Sequence, residues 1–177
     1  LNRLGDQMGN SKTSAEDNPI LVALDLSERS TACLSHGCEM AAKFRQPLIL
    51  AHVVHETTET MGMYRRHRNA SDTMPINDIA RTMLEERVAE FREAHPELDQ
   101  GCEIRLVVVG GIPETRIPEL ALRYNASMIL MCSHNRNGLS HWIYGSVTET
   151  VVRRAHCPVV VVGQEETPFS SLTVHRP

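Results

Sequence analysis

The chain has 177 residues, of which 41% are hydrophobic and 23% charged, and its formal net charge is −4. These values are typical of one soluble globular domain with room for tails. The small negative charge excludes an overall positive field for nucleic acid or an anionic membrane surface. No apolar run reaches the roughly 18 residues that a membrane-spanning helix needs.

The five cysteines are scattered and odd in number, and neither a CxxC pair nor an HExxH pattern occurs. This distribution indicates reduced thiols in a cytoplasmic protein rather than a disulfide framework. It also gives no reason to expect a zinc site or any other metal site. The cysteines are Cys33, Cys38, Cys102, Cys132 and Cys157.

The first predicted elements follow a polar segment, residues 1–18, that we expect to be a disordered tail. A continuous apolar run at 20–24 predicts a buried strand that ends at Asp25. Ser30 is the expected N-cap of a helix that continues to about Phe44, and residues 48–54 predict a second buried strand.

The central part of the chain begins with a stretch without periodicity, residues 56–75, which contains Arg65, Arg66 and Arg68. A segment of this length inside a compact domain is typical of a long flexible loop, which is a lid, a binding loop or a disordered segment. Its arginines are interpreted as solvated, with contact to a phosphate as the alternative. A helix is predicted from Asn77 or Asp78 to about residue 94.

The carboxyl-terminal half predicts three more strands, at 102–109, 127–132 and 158–162. Apolar and polar residues alternate at the start of the first of these, which predicts an edge or half-exposed position in the sheet. A helix between the first two of these strands is expected to hold Pro118 in its first turn. The last helix has Val147, Val151 and Ala155 on its inner face. Residues 164–177 are expected to form a loose tail, which leaves 19–163 as the single domain.

The strict alternation of strands and helices predicts an α/β fold, an open five-stranded parallel sheet with helices on both faces and a Rossmann-like winding. With the strand order 3-2-1-4-5, the winding direction reverses between strands 1 and 4, where such sheets bind ligands. Asp25 and the loop after Cys132 would face this crevice. Gly145 and Ser146 begin the following helix, whose unpaired amide groups attract anions.

Four segments of the sequence resemble the universal stress protein family over about residues 19–163. They are the turn Ala23-Leu24-Asp25-Leu26-Ser27-x-x-Ser30, the strand end His52-Val53, the helix entry Gly111-Ile112-Pro113, and the stretch from Ser133-His134 through Gly145-Ser146-Val147 to His156-Cys157-Pro158-Val159. The last of these is the most specific.

The ATP-binding branch of that family carries the motif G-x2-G-x9-G-[S/T], and this chain reads C-x2-N-x9-G-S. Cys132 and Asn135 replace the first two glycines, whereas Gly145 and Ser146 are kept. The resemblance implies ATP or a related adenine nucleotide, with Mg²⁺, as the cofactor. The base would lie near Asp25 and Val53, and the phosphates would reach Gly145. The implied binding residues are Leu24, Asp25, Val53, Cys132, Ser133, Asn135, Arg136, Gly145, Ser146 and Val147.

Several of these residues also have a purely structural interpretation. Asp25 can cap the first helical turn, and Ser146 can cap the last helix. Cys132 is either a small buried group that closes a strand or, beside a helix N-terminus, a reactive thiolate. His52 and His134 are interpreted as packed or hydrogen-bonded histidines rather than catalysts.

The last strand is a run of four valines, Val159, Val160, Val161 and Val162, which would be prone to aggregation if it formed an unpaired edge. The physical argument and the resemblance both predict a homodimer through this strand.

The sequence therefore supports three hypotheses for the function of the protein. They are a regulatory stress-response module that binds an adenine nucleotide, a dimeric interaction module that has lost nucleotide binding, and slow ATP hydrolysis. No catalytic residues assemble, so we predict that the chain is not an enzyme.

Overall fold

The computed structural model describes residues 18–27, 30–55, 62, 64, 74–99, 103–132 and 145–163. The segments predicted as tails, residues 1–17 and 164–177, lie outside the described residues. So do most of the predicted 56–75 loop and the segment 133–144. The predictions made for those segments therefore stay predictions.

Five parallel strands form one sheet in the order β3-β2-β1-β4-β5. This order is the predicted one, and it places β1 at the centre with β4 beside it, where the winding direction reverses. The strands are β1 (Ile20–Ala23), β2 (Leu48–Val54), β3 (Ile104–Gly110), β4 (Met128–Cys132) and β5 (Val159–Val162). Each predicted strand is present, and none of its ends lies more than two residues from the predicted one.

The helices connect successive strands, as the alternation predicts. They are α1 (Ser30–Phe44), α2 (Ile76–Ala94), α3 (Pro96–Asp99), α4 (Pro113–Arg123) and α5 (Ser146–Arg154). The short α3 was not predicted, because Pro96 was interpreted only as the end of the preceding helix. A proline is also well suited to the first position of a new helix, where its missing N–H costs nothing.

The sheet separates two hydrophobic clusters, which confirms helices on both faces. Alternate β1 residues point to opposite faces, with Ile20 and Val22 in one cluster and Leu21 in the other. The face with Val22 is covered by α1 and α2, and we call it the α1 face. The face with Leu21 is covered by α4 and α5, and we call it the α5 face.

Helix α1 approaches the centre of the sheet closely at Gly37. A Cβ atom at this position would lie 2.7 Å from Cγ2 of Val22 and 3.4 Å from Cδ1 of Leu48. Real carbon–carbon contacts are optimal at about 3.5–4.0 Å. The absence of a side chain at Gly37 therefore allows α1 to pack closely on β1. This close packing positions the N-terminus of α1 beside the carboxyl end of β1.

The prediction for Pro118 is wrong, because this residue lies inside α4 rather than in its first turn. The helix begins at Pro113, whose fixed φ suits the first helical position. Pro118 has no N–H to donate to the carbonyl of Glu114, so this helix lacks one of its internal hydrogen bonds. Packing of Ile117 and Leu120 against the α5 face holds the helix across this position.

Strand β3 lies at one edge of the sheet, as its alternating start predicts, and most of its residues are only half-buried. None of the helices in the described ranges has both the length and the apolar character needed to cross a membrane.

Candidate functional site

The candidate site is the edge of the sheet where β1 and β4 end. Ala23 is paired with Met131 of β4 on one side and with Ala51 of β2 on the other. The pairing with β2 extends one residue beyond the end of β1, because the N–H of Leu24 donates to the carbonyl of Ala51 at 2.9 Å. The residues that follow β1 are therefore adjacent to those that end β4, as the strand order requires.

Asp25 organises the turn that leads from β1 into α1. Its Oδ1 accepts hydrogen bonds from the Ser27 N–H (3.0 Å), the Ser27 hydroxyl (2.7 Å) and the Ser30 hydroxyl (2.8 Å). A carboxylate that accepts several short bonds holds a loop in one conformation. The carboxylate is also exposed at the mouth of the crevice.

The prediction that Ser30 is an N-cap is wrong in its mechanism. Ser30 is the first residue of α1, and its hydroxyl donates to Asp25 instead of accepting a bond from a helix amide. The side chain is buried, so it anchors the start of α1 to the end of β1. The sequence placed Ser27 and Ser30 in the family turn but assigned neither of them to Asp25.

His52 is held by two hydrogen bonds, as its interpretation as a bonded histidine predicts. Its Nδ1 lies 2.7 Å from the carbonyl oxygen of Leu24, and its Nε2 lies 2.6 Å from the Tyr64 hydroxyl. A carbonyl only accepts, so Nδ1 carries the proton and Nε2 accepts from Tyr64. Burial lowers the pKa of His52 and raises that of Tyr64 to about 12, which keeps both groups neutral. His134 lies outside the described residues.

Val53 is 8% exposed and packs into the cluster on the α5 face. The β1–β2 register, continued by two residues, places it beside Asp25. Its side chain has little surface to offer a ligand, so any contact would be made mainly by its backbone.

Cys132 is the last residue of β4, is half-buried, and packs against the cluster on the α1 face. Its sulfur forms hydrogen bonds with both the thiol and the backbone N–H of Cys33, in the first turns of α1. The thiol bond from Cys33 is the largest influence and lowers the pKa of Cys132, while burial and the charge of Asp25 oppose it. The pKa of Cys33 is raised, first by the same thiol contact and then by burial.

The start of α5 has the geometry of an anion site. Gly145 is the N-cap residue (φ −55°, ψ 153°), and its carbonyl accepts the N–H of Glu149 at 3.1 Å. Gly145 has no side chain to cap the first turn, so the amide groups of residues 146–148 have no acceptor within the helix. Together with the helix dipole, they favour a bound anion.

Ser146 is the first helical residue and is exposed, so its interpretation as the cap of α5 is wrong. Val147 is half-buried next to it and packs against the α5 face. The other implied binding residues, Ser133, Asn135 and Arg136, lie outside the described residues. The structure thus brings Leu24, Asp25, Val53 and Cys132 to one edge and places Gly145 at the start of the helix that follows β4.

Sequence reasoning missed two features of this edge, Cys33 and Tyr64. Cys33 was only one of the scattered cysteines, and Tyr64 lay in a stretch without periodicity. No local sequence pattern links Cys33 to Cys132 or Tyr64 to His52. Among the described residues, no group of three or more His, Cys, Asp or Glu side chains is arranged to hold a metal ion.

These features define an open, doubly wound α/β domain with an anion-attracting helix start after the strand at its switch point. The Universal stress protein family matches residues 18–163 of the sequence. The chain belongs to this family, which confirms the resemblance found in the sequence.

The matches with known proteins span most of this chain and most of each relative. A universal stress protein of Methanocaldococcus jannaschii is 26% identical over 157 residues, which span 84% of this chain and 96% of that protein. A universal stress protein solved in complex with cAMP has a TM-score of 0.59 and 21% identity, over 84% of this chain and 98% of its own. The universal stress protein of Archaeoglobus fulgidus in complex with dAMP has a TM-score of 0.56 and 20% identity, over 81% and 95%. Both structures have the fold of this chain.

Proposed function

We propose that this protein binds an adenine nucleotide, ATP with Mg²⁺ or a related molecule, in the crevice at the carboxyl ends of β1 and β4. It acts as a regulatory stress-response module through this binding and not through turnover of the nucleotide. The base lies near Asp25 and the backbone of Val53, and the phosphates bind the first turn of α5 at Gly145.

The orientation of Cys132 is the observation that carries this proposal. The cysteine replaces a motif glycine, and a side chain directed at the phosphates would block them. Its sulfur instead faces Cys33 on the α1 face of the sheet. Helix α5 packs on the opposite face through Val151. The substitution therefore leaves the phosphate end of the site unobstructed by this thiol.

The two similar structures with bound ligands support the adenine part of the proposal. Their ligands, cAMP and dAMP, share an adenine base and differ in sugar and phosphate. The amides at the start of α5 offer a place for a phosphate of either kind, because they attract negative charge without requiring one particular geometry.

Isothermal titration of the reduced, full-length protein with ATP, ADP, AMP and cAMP, with and without Mg²⁺, tests the proposal. Gly145→Asp is the informative variant, because an aspartate is a good N-cap whose charge would compete with phosphate at the same amides. We expect it to weaken ATP binding at least about tenfold without lowering the melting temperature. Gly145→Asn is the matched neutral control, since it caps the helix equally well and should lose less affinity.

The alternative is a dimeric interaction module that has lost nucleotide binding. Titration separates the two, because the alternative predicts no heat and no thermal shift with millimolar nucleotide. Binding that appears only in the double variant Cys132→Gly, Asn135→Gly would establish the alternative. Slow hydrolysis, the enzymatic hypothesis, requires turnover that disappears with Gly145→Asp. The expectation of no enzymatic activity and the cytoplasmic location stay predictions.

Homodimerisation through β5 is part of the same proposal. Within the described residues β5 pairs with β4 along one side, and Val159, Val160 and Val161 are only half-buried in the single chain. A second copy paired along the other side would cover this edge. Light scattering should give twice the chain mass, and Val161→Lys should reduce it to the mass of one chain. Val152→Lys, on the exposed face of α5, is the control that should stay dimeric.

A further inference from the structure

Two thiols from distant parts of the chain meet beneath the crevice. Cys33 is fully buried (0% exposed) in the first turns of α1, and Cys132 is half-buried at the end of β4. The two side chains share the cluster on the α1 face and are hydrogen-bonded to each other. Cys132 is therefore the more exposed of the two residues, and Cys33 is enclosed in the core.

The surroundings give the two sulfurs different chemistry. The sulfur of Cys132 accepts bonds from the Cys33 thiol and backbone N–H, near the positive end of the α1 dipole, so its pKa is lowered. The pKa of Cys33 is raised by the same contact and by burial. Among the described residues, the negative charge of Asp25 opposes ionisation of both thiols. Of the two thiols, Cys132 is thus the one that ionises more readily.

We propose that Cys132 and Cys33 are a modification site for hydrogen peroxide, in which Cys132 reacts first and Cys33 closes an intramolecular disulfide. The Cys132 thiolate attacks one peroxide oxygen, the O–O bond breaks, and the leaving hydroxide takes a proton to become water. Cys132 is now a sulfenic acid. The sulfur of Cys33 attacks the sulfur of Cys132, the S–O bond breaks, and hydroxide leaves with the Cys33 proton as a second water. Two thiols are oxidised to a disulfide, and one hydrogen peroxide is reduced to two waters.

The other described cysteines differ from this pair. Burial raises the pKa of Cys157, which lies between α5 and β5, so the thiol form persists there. Cys38 is 1% exposed in the middle of α1 and is shielded from a solute. Among these four described cysteines, Cys132 should therefore react first with peroxide.

The test treats the reduced, full-length protein with hydrogen peroxide, then denatures it in the presence of N-ethylmaleimide and counts the labelled thiols by mass spectrometry. We expect the count to fall from five to three, and peptide mapping should identify one Cys33–Cys132 crosslink that a thiol reductant reverses. No nucleotide is present, so the result is independent of the function proposed above. Five labelled thiols after treatment, a crosslink between any other pair, or a crosslink between two chains would overturn the proposal.

Two variants separate the roles of the sulfurs. Cys33→Ser should still react at Cys132 but stop at a sulfenic acid, which dimedone traps, or proceed to a sulfinic acid. Cys157→Ser should behave like the wild-type protein, because that cysteine takes no part. Peptide mapping of the wild-type protein decides the proposal even if Cys33→Ser fails to fold.

Discussion

Replacing Gly37 with alanine tests how α1 is positioned over the crevice. The added Cβ would lie 2.7 Å from a Val22 methyl and 3.4 Å from a Leu48 methyl, and both side chains are fully buried. Neither neighbour can rotate into solvent, so relief requires α1 to move away from the sheet. Extra methyl groups in packed cores cost about 1–3 kcal/mol.

Helix propensity acts in the opposite direction, because alanine is favoured over glycine by about 0.8–1.0 kcal/mol inside a helix. The overpacking cost, about 2 kcal/mol at the middle of its range, exceeds this gain. We therefore expect Gly37→Ala to lower the free energy of unfolding by about 1 kcal/mol. Urea denaturation followed by circular dichroism measures it.

Ala42→Gly is the matched control, because Ala42 is an exposed residue of the same helix. It should lose about 1 kcal/mol through propensity alone. A second check is the double variant Gly37→Ala, Val22→Ala, which removes the clashing methyl and should lose less than the sum of the single variants. A Gly37→Ala protein more stable than the wild type would refute the close-approach argument, since propensity alone predicts that result.

Two further changes test the turn after β3 and the buried histidine. Gly111→Ala should destabilise the protein by about 1–3 kcal/mol, because its φ of +137° is strained for any L side chain. Gly110→Ala, whose new Cβ would have its nearest neighbour at 4.0 Å, should cost clearly less; similar melting temperatures for the two variants would contradict this. His52 has a lowered pKa in the folded state, so the unfolded chain, with a histidine pKa of about 6.5, binds more protons. Stability should fall as the pH decreases through about 6.5 and continue to fall toward the folded pKa. In urea titrations between about pH 7.5 and about pH 5.5, His52→Gln should show a smaller pH dependence than the wild type. Tyr64, with a pKa of about 12, does not titrate in this range. Equal slopes would show that His52 does not carry this dependence.

The sequence alone predicted the five strands and the four longer helices in their order, and it predicted a parallel, doubly wound sheet. Every strand was predicted from local signals. These are continuous apolar runs such as 48–54 and the glycines and prolines that separate one element from the next. The alternation of strands and helices then restricted the topology to a parallel, doubly wound sheet. The same local patterns failed at Pro118, because Pro113 had been assigned to the turn, whereas the helix already begins there.

Only the tertiary structure decided what the side chains at the crevice do. Asp25 accepts bonds from Ser27 and Ser30, His52 bonds to Tyr64, and Cys132 meets Cys33. The last two contacts join residues from different elements, and they depend on strand register and on how closely α1 approaches β1. Periodicity records which residues are buried, but it carries no information about which buried residue faces which. For that reason the sequence left open whether Cys132 closes a strand as a buried group or reacts as a thiolate, and only the structure placed its sulfur against Cys33.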